Sequence, residues 1–535
     1  MASARRSSFS ANHDWEAKAR SDKLIEPVMV RTSRRRFLAQ AGILVGATAL
    51  EPGSRAFDLS DTLQVRLAAD PLRPQYHLLP AANWMNDPNG PIFFRSRYHM
   101  FYQYNPNSAF WGSMHWAHAT SPDMVHWKHE PVALAPTPEG YDRDGVFSGS
   151  AVLDGETPTV IYTGVLPPAS PSEVTLDDGQ HKWREVQCLA TSKDPNLRSW
   201  QKLPEPVIAR PPDFAVTGFR DPCVWREGKD WLLTLGSGVK GKGGAVLLYQ
   251  STDLRHWTYL HPLVEGRGTG QPAANPVDNG EMWECPDFFP LGNRHVLLYA
   301  TMGKVLWKTG LYRDRRLTAE KEGVVDFGSY YAAKTMLDAN ANRILWGWIP
   351  ETRPQAEYRA AGWAGLMSLP RTLSINADGG LEMSVAREVE GLRGHHSRVD
   401  HAARADKEKS LAAVRIRDLV AEIQAEFAAG HAFLLQLRSD KGEAFAEIAY
   451  DRTRPKAELR VNSTTGELRT DDPISLRVLL DGSTLEIFAN HKTVITARVY
   501  TAPRSPLVIK LSDLDALRSL DVWQMNPISK DRLTS

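Results

Sequence analysis

The sequence predicts an all-β protein, a five-bladed β-propeller followed by a C-terminal β-sandwich, and three observations support this prediction. Between Asn83 and Asn376 the chain repeats one hairpin-like unit five times. A Ser-x-Asp pattern that leads to a Trp recurs in three consecutive units. After about residue 400, short segments alternate polar and apolar side chains, and helical patterns are scarce throughout.

The repeated unit consists of a polar, turn-like start, an apolar strand, a turn and an aromatic-rich second strand. The five units read NDPNGPIFF with YHMFYQYN, GVFSGSAVL with TVIYTG, FRDPCVW with WLLTLGS, ECPDFFP with HVLLYATM, and YYAAKTM with ILWGWI. Their spacing is typical of propeller blades with loop insertions. We therefore assign residues 70–385 to the propeller.

The Ser-x-Asp segments SPDMVHW, SKDPNLRSW and STDLRHW end at Trp127, Trp200 and Trp257. We interpret each as an outer turn of a blade whose Trp packs between blades, which is a structural role. Beyond a polar connector, segments such as EAFAEIAYD, ISLRVLLD and TVITARVY alternate with period two and are separated by turn residues. This pattern predicts a β-sandwich over residues 400–528.

The overall composition limits the class of partner. A chain of 535 residues exceeds the usual size of a single core, so two domains are expected. The 64 Lys and Arg nearly balance the 63 Asp and Glu, which gives no reason to expect nucleic acid or an anionic membrane as partner. The three cysteines, Cys188, Cys223 and Cys285, lack zinc-ligand spacing, and the residues imply neither a metal nor an organic cofactor.

Residues 1–49 resemble an arm that ends in an export signal. Ser33 to Leu38 reads SRRRFL and is followed by the apolar run AQAGILVG and the small triplet Ala47–Ala49. This is the pattern of a cleavable twin-arginine signal, and Met29 is an alternative start that would give it a conventional length. We expect a mature protein outside the cytoplasm, in the periplasm or outside the cell, and without a membrane anchor.

Three of the five repeated units begin with an acid: Asp87, Asp221 and Glu284. The innermost strands of a propeller converge on a central channel, so the three side chains are expected around one pocket. Neighbouring carboxylates raise one another's pKa, so a cluster of three acids is unfavourable and indicates a functional role. Glycoside hydrolysis requires carboxylates as nucleophile and acid. The alternative is that each acid caps its own turn.

The motifs WMNDPNG, FRDP and EC, in this order, resemble the signatures of glycoside hydrolase family 32, the β-fructofuranosidases. The resemblance covers about residues 73–500 and includes YQYNP, FSGSAV and LLDGSTLEIFAN. It implies a retaining enzyme with Asp87 as nucleophile, Glu284 as general acid and base, and Asp221 as a transition-state stabiliser that binds fructose hydroxyls. The family's propeller and sandwich agree with the fold predicted above.

The resemblance also implies substrate contacts. Asn86, Gln103, Trp111, Ser148 and Arg220 match pocket positions, and Phe147 and Trp84 are expected to wall the pocket. For Phe147 and Trp84, packing in the core is an equal alternative. Cys285 follows Glu284, and we hypothesise that it helps to keep that acid protonated.

The segment VDFGSYYAAKT resembles the part of plant enzymes in which an Asp and a Lys hold the glucose of sucrose. Asp326 is present, but Ser329 stands at the Lys position, so sucrose recognition is only half supported. Tyr331 and Lys334 either pack locally or reach the pocket.

The function predicted first is therefore a secreted hydrolase of terminal β-D-fructofuranosyl units, with sucrose as substrate. An exo-fructanase on inulin or levan and a fructosyltransferase are the alternatives. An inverting arabinan-cleaving propeller lacks support in the motifs, and an inactive sugar-binding module is disfavoured because all three acids are present. The expected partner is a neutral sugar, and the oligomeric state is left open.

Overall fold

The computed structural model describes residues 60–400, 403–452 and 457–535, so the predicted export signal lies outside the described residues. The described helices are α1 (Asp61–Ala69), α2 (Gln355–Ala361) and α3 (Arg404–Ala413), with short 3-10 turns at Pro171–Glu173 and Arg387–Leu392. Within these ranges no helix has the length and apolar character needed to cross a bilayer. Nearly all remaining regular structure is β-strand, as predicted.

Residues 83–385 form five predominantly antiparallel sheets. The first sheet begins with β1 (Asn83–Phe94), β2 (Arg97–Asn105), β3 (His115–Ser121) and β4 (Lys128–Leu134). The second contains β5 (Gly145–Asp154), β6 (Thr157–Leu166), β7 (Leu176–Asp177), β8 (Lys182–Thr191) and β9 (Gln201–Lys202). The third contains β10 (Val216–Glu227), β11 (Asp230–Val239), β12 (Gly243–Ser251) and β13 (Thr258–Glu265), and the fourth contains β14 (Glu284–Leu291), β15 (Arg294–Thr301), β16 (Lys304–Arg313) and β17 (Arg316–Val324). The last strands of this region are β18 (Tyr331–Leu337), β19 (Arg343–Ile349), β20 (Trp363–Ala364), β21 (Leu366–Met367), β22 (Arg371–Ile375) and β23 (Leu381–Val385), which form the fifth sheet except for β20.

The first strands of these sheets contact one another in a ring. β1 contacts β5, β5 contacts β10, β10 contacts β14, β14 contacts β18, and β18 contacts β1. β20, which lies in the chain between β19 and β22 of the fifth sheet, pairs in parallel with β1 of the first sheet. The late segment therefore closes the ring on its beginning, and the chain folds as a propeller.

Residues 393–525 form two stacked sheets. Their strands are β24 (Arg393–Val399), β25 (Val420–Phe427), β26 (Phe433–Ser439), β27 (Ala444–Asp451), β28 (Glu458–Val461), β29 (Thr464–Glu467), β30 (Ile474–Asp481), β31 (Thr484–Ala489), β32 (Thr493–Arg498), β33 (Leu507–Leu511) and β34 (Leu517–Met525). One sheet has the order β24-β34-β25-β30-β31-β32, and the other has the order β29-β28-β27-β26-β33. Buried and partly exposed residues alternate along β26, and the buried side chains of both sheets share one apolar core. This is the predicted β-sandwich.

The predicted Ser-x-Asp turns are confirmed. Each lies before the last strand of one of the first three sheets, where Asp123, Asp194 or Asp253 accepts hydrogen bonds from two backbone N–H groups further along the turn. The ring of Trp200, from the second sheet, lies 5.7 Å from that of Phe101 in the first. The repeat is therefore turn chemistry combined with packing between sheets.

A buried ionic network joins the propeller to the sandwich. Both ring nitrogens of His77 face carboxylates, Nδ1 at 2.8 Å from Asp481 and Nε2 at 3.0 Å from Glu486. Only a doubly protonated imidazole can donate to both. Arg371 of β22 pairs with the same Glu486 of β31 and, at 2.9 Å, with Asp326. The interface is thus held by charge-assisted hydrogen bonds that water does not reach.

We expect the free energy of unfolding to fall as the pH rises from 6.5 to 9, the range in which His77 loses its second proton. Burial lowers the pKa of His77, but its two carboxylate partners outweigh burial and raise it from the ordinary 6.5 to about 9. The stabilisation is therefore complete below pH 6.5 and lost as the pH rises from 6.5 to 9. Thermal unfolding across this range should show a steeper decline for the wild type than for His77→Gln. The control His256→Gln, at an exposed His–Asp pair, should keep the wild-type slope. Parallel profiles for the wild type and His77→Gln would contradict this account.

Candidate active site

The first strands of the five sheets share a β-bulge at the same level. The register with the second strand shifts between Met85 and Pro88 in β1, Val146 and Gly149 in β5, Arg220 and Cys223 in β10, Glu284 and Asp287 in β14, and Tyr331 and Lys334 in β18. A bulge bends a strand and redirects its side chains. Asp87, Asp221 and Glu284 all lie at these bulges. The ring of strands therefore carries the three predicted acids to one place.

The segment NDPNG lies inside β1, which corrects the prediction that the first repeated unit begins with a turn. Gly90 has a positive φ of 44°, and a Cβ there would lie 2.8 Å from the backbone nitrogen of Ala151 in β5. The glycine therefore serves a close approach of neighbouring sheets rather than a chain reversal. Pro88 pairs with Tyr102 directly after the bulge, and proline is tolerated there because the other edge of β1 is paired with β20 only at Asn83 and Trp84.

Asp87 is held by donors on both carboxylate oxygens. Its Oδ2 accepts a 2.6 Å hydrogen bond from the Ser148 hydroxyl, and its Oδ1 accepts a 3.1 Å bond from the Asn86 amide. Asn86 is itself fixed by the Trp84 indole N–H, which donates to Asn86 Oδ1 at 2.8 Å. Asp87 remains partly exposed. A carboxylate with fixed orientation and an open face suits a nucleophile.

Cys285 lies between Asp87 and Asp221. Its Sγ is 3.5 Å from Oδ2 of each aspartate, and its backbone N–H donates to Asp221 Oδ2 at 2.9 Å. The structure thus corrects the hypothesis that Cys285 serves Glu284, because its thiol meets the two aspartates instead. Cys285 and Asp221 both have positive φ, 49° and 64°. Non-glycine residues seldom adopt this conformation, and such strain is concentrated at functional sites.

Glu284 accepts hydrogen bonds from two different residues. Its Oε1 accepts hydrogen bonds from Nε and Nη2 of Arg220 at 3.2 and 2.7 Å, and its Oε2 accepts a 2.7 Å bond from the Tyr331 hydroxyl. The other side of the guanidinium, Nη1, donates to Oε1 of the fully buried Glu185 at 2.8 Å. Arg220 is therefore held by two glutamates, and it fixes the orientation of Glu284.

This geometry fixes where Glu284 can carry a proton. Oε1 faces only N–H donors of Arg220, so the proton of the acid form belongs on Oε2. A tyrosine hydroxyl can donate or accept, so Tyr331 can hydrogen-bond to Oε2 whether or not that oxygen carries the proton. Arg220 stabilises the carboxylate once the proton has left. The sequence left the role of Tyr331 open, and the structure shows that it contacts Glu284, whereas Lys334 is buried and donates to the carbonyl of Pro286 at 2.8 Å.

Burial and mutual repulsion set the electrostatics of the group. Burial raises the pKa of Asp87 against the opposing hydrogen bond from Ser148, and the Glu284 charge raises it further. Burial also raises the pKa of Asp221 to about 7; Arg220 opposes this shift, while Glu284 and Asp87 add to it. Burial alone would lower the pKa of Arg220, but Glu185, Glu284 and Asp221 raise it well above its usual range. Perturbed pKa values of this kind are typical of catalytic sites.

The other predicted pocket residues differ in how they relate to the three acids. Ser148 contacts Asp87, and Arg220 contacts Glu284, as described above. Phe147 and Trp111 have their ring centroids 6.0 Å apart, and Trp111 is 36% exposed at the rim. Gln103 is buried and donates to the carbonyl of Val146 at 2.9 Å, so its contact with a substrate stays a prediction.

The structure corrects the prediction that Asp326 contacts the substrate. Asp326 is 1% exposed, and its Oδ1 accepts from the backbone N–H groups of Gly328 and Thr496 at 2.8 and 2.9 Å. Its Oδ2 accepts from Arg371 at 2.9 Å and from the Thr496 hydroxyl at 2.6 Å. The backbone N–H of Ser329 donates to the carbonyl of the same Thr496 at 2.8 Å. This segment anchors the sandwich domain, and it leaves Asp326 no free lone pair for a sugar.

Sequence reasoning missed Glu185, although a signal was present. Glu185 stands in EVQCLA of β8, where the only other polar side chain is the amide of Gln187, and its Oε2 accepts from the Phe219 N–H and the Thr175 hydroxyl at 2.7 and 3.0 Å. A carboxylate at the start of a mostly apolar segment predicts a buried cationic partner. Within the described ranges, no three or more His, Cys, Asp and Glu side chains are grouped so that they could hold a metal ion.

The arrangement can perform acid-assisted substitution at a sugar carbon. Two partly exposed acids, Asp87 and Glu284, lie beside the buried Asp221, and Glu284 presents Oε2 to the Tyr331 hydroxyl while Arg220 occupies Oε1. A nucleophile, a proton donor and a third carboxylate that binds hydroxyl groups are the components of a glycosidase. The propeller and this site therefore define a glycosidase, and the comparison with known proteins identifies its family.

The chain belongs to glycoside hydrolase family 32. Residues 77–384 match the model described as the glycosyl hydrolases family 32 N-terminal domain, and residues 388–524 match the family 32 C-terminal model. A sucrose-6-phosphate hydrolase of Escherichia coli is 35% identical over 460 residues, covering 80% of this chain and 90% of the relative. A raffinose invertase of the same species is 36% identical over 462 residues, covering 80% and 89%. Fructan 1-exohydrolase IIa of Cichorium intybus, a solved structure, has a TM-score of 0.70 at 27% identity and covers 85% of this chain and 98% of its own.

The protein is thus a β-fructofuranosidase. The sequence-based assignments of family, fold class and enzyme class are confirmed.

Proposed function

We propose that the protein hydrolyses sucrose by releasing its terminal β-D-fructofuranosyl unit with retention of configuration. The observation that carries the proposal is the joining of the three acids into one group: Cys285 lies between Asp87 and Asp221, and Arg220 connects Asp221 to Glu284. This group can act on one furanose ring from both sides. Retention requires a carboxylate that attacks the sugar directly, and Asp87 is positioned and exposed for that role.

The reaction follows from these contacts. Asp87 attacks the anomeric carbon of fructose, while the proton on Glu284 Oε2 passes to the glycosidic oxygen and the glucose leaves. Glu284, now a carboxylate held by Arg220, takes a proton from water, and the water oxygen displaces Asp87 from the anomeric carbon. Asp221 accepts hydrogen bonds from fructose hydroxyls and stabilises the positive charge that develops on the ring. Fructose is released, and both acids return to their starting states.

The favoured substrate is unphosphorylated sucrose. The relatives carry names that include sucrose-6-phosphate hydrolase and raffinose invertase. The guanidinium of Arg220 is engaged by Glu185 and Glu284, so this cation is not free to bind a phosphate group. An exo-fructanase and a fructosyltransferase use the same group of acids and remain the alternatives.

A comparison of substrates tests the proposal. We expect the highest kcat/KM on sucrose relative to sucrose-6-phosphate, inulin and levan, with glucose and fructose released in equal amounts. Free glucose in excess over fructose at high sucrose concentration would instead reveal transfer to acceptor sugars. Turnover of inulin or levan without turnover of sucrose would contradict the proposal and establish the exo-fructanase.

We also propose that residues 33–49 export the protein through a twin-arginine route. The support is the basic segment, the short apolar run and the small-residue site, in that order. When bacterial cells that possess the twin-arginine route are fractionated, the sucrose-hydrolysing activity should be found outside the cytoplasm. Replacing Arg34 and Arg35 with Lys should keep this activity in the cytoplasm. Equal cytoplasmic activity for both proteins would refute the export signal.

A further inference from the structure

Four aromatic side chains form a continuous surface beside the three acids. We call Trp111, Phe147, His181 and Trp183 the aromatic wall. The Trp183 ring centroid lies 4.4 Å from that of His181, stacked at 9°, and 5.8 and 5.4 Å from those of Trp111 and Phe147. The His181 ring also lies 5.8 Å from Trp111. His181 and Trp183 match none of the motifs that identified the site.

The wall faces the active site because of strand geometry. Side chains two residues apart lie on the same face of a strand, so Trp183 and Glu185 of β8 point the same way. Glu185 binds Arg220, which holds Glu284. On the opposite side of the wall, Phe147 immediately precedes Ser148, which donates to the nucleophile. Two residues of strand advance the chain by about 6.6 Å, so Trp183 lies about one sugar ring further out than Glu185.

The turn before β8 holds the outer end of the wall in place. Asp178 accepts hydrogen bonds from the backbone N–H groups of Gln180 and His181 at 2.8 and 2.6 Å, and its second oxygen lies 3.2 Å from His181 Nδ1. At the tip of the turn, a Cβ added to Gly179 would lie 3.1 Å from the Cβ of Ala274, in the loop before β14. The His181 ring is therefore oriented before any ligand binds, which reduces the entropy lost on binding.

Exposure distinguishes the wall from ordinary core packing. Trp111 is 36% exposed, and the side chain of His181 is 40% exposed. By contrast, the stacked pair Trp283 and Tyr299, with centroids 4.0 Å apart, is 5% exposed at each residue. Rigid aromatic faces that stay open to solvent beside a pocket are characteristic of ligand sites.

We propose that the aromatic wall binds a second sugar ring, one residue beyond the leaving group, and so adds affinity for trisaccharides that sucrose cannot gain. The ring expected there is a neutral pyranose, whose C–H face packs on Trp183 while its hydroxyls remain in water. Sucrose is too short to reach Trp183, whereas raffinose and 1-kestose each place a pyranose at that position. This inference rests on the proposed β-fructofuranosidase function.

The kinetic test compares Trp183→Ala with the wild type on sucrose, raffinose and 1-kestose. The ratio of kcat/KM for each trisaccharide to that for sucrose should fall about tenfold, mainly through KM, because a stacking contact is lost from bound substrate and transition state alike. Trp183→Phe, which keeps a ring, should retain most of the ratio. Trp523→Ala is the matched control, since Trp523 stacks on His396 at 4.6 Å in the sandwich, and it should leave the ratio unchanged.

A binding measurement separates this inference from the proposed function. Calorimetry in an Asp87→Ala background should show that Trp183→Ala weakens binding of raffinose about tenfold more than binding of sucrose. If the wild type did not turn over sucrose, the proposed function would be wrong. The difference in binding between raffinose and sucrose would still test whether the aromatic wall binds a second sugar ring. Equal losses on all three sugars, or none, in folded Trp183→Ala would overturn the inference.

Discussion

Replacing Asp87 with Ala should reduce kcat on sucrose by about 10⁴-fold or more, because the reaction then lacks the group that attacks the anomeric carbon. Ser148 and Asn86 would lose their acceptor, but neither can replace a carboxylate as nucleophile. Binding of sucrose should change far less than kcat. Steady-state rates of the purified variant, together with sucrose affinity from calorimetry, check both expectations.

The exposed Asp154, at the end of β5, provides the matched control. Asp154→Ala removes the same side chain from the same domain and should leave kcat and KM unchanged. Thermal unfolding should show that both variants are folded. If folded Asp87→Ala turned over sucrose within tenfold of the wild-type rate, Asp87 would not be the nucleophile.

Replacing Glu284 with Gln should lower kcat on sucrose by about 10² to 10⁴-fold, the range for removing a general acid and base. The amide oxygen can still accept from Arg220, so the fold should survive, but no proton remains for the glycosidic oxygen. A fructosyl fluoride, whose leaving group needs no proton, should still form the covalent intermediate. Azide, a nucleophile that needs no base, should then restore release of the fructosyl unit.

Rates on sucrose and fructosyl fluoride, with and without azide, measure these effects. Glu265→Gln, at the exposed end of β13, is the matched control and should behave as the wild type on both substrates. Equal losses on sucrose and on the fluoride, without rescue by azide, would show that Glu284 is not the proton donor.

The propeller could be predicted from the repeated hairpins, because the strands of each sheet follow one another in the chain. The apolar pattern of each sheet is therefore visible in one continuous stretch of sequence. The same holds for the sandwich, where alternation along each strand reports one buried face. The acids could also be found, since Asp87, Asp221 and Glu284 occupy corresponding places in three repeats. The ring of contacts among the first strands then brings the three acids together.

The features that sequence reasoning missed depend on contacts between distant segments. NDPNG has the composition of a turn, yet it lies within β1, because a bulge and the close approach of β5 accommodate Pro88 and Gly90. Asp326 matched a substrate-binding pattern, but the sandwich domain, 170 residues further along, supplies Thr496 as its partner. Composition and spacing do not report such pairings, because either partner alone is compatible with several environments.

The central claim is that Asp87 attacks the sugar and carries it covalently, and peptide mass spectrometry tests this most directly. Glu284→Gln treated with a fructosyl fluoride and quenched in acid should yield the peptide containing Asp87 with one added fructosyl unit. Asp87→Ala treated in the same way should yield no such adduct. A fructosyl unit attached to Asp221 instead, or no adduct on any peptide while fluoride is released, would contradict the account.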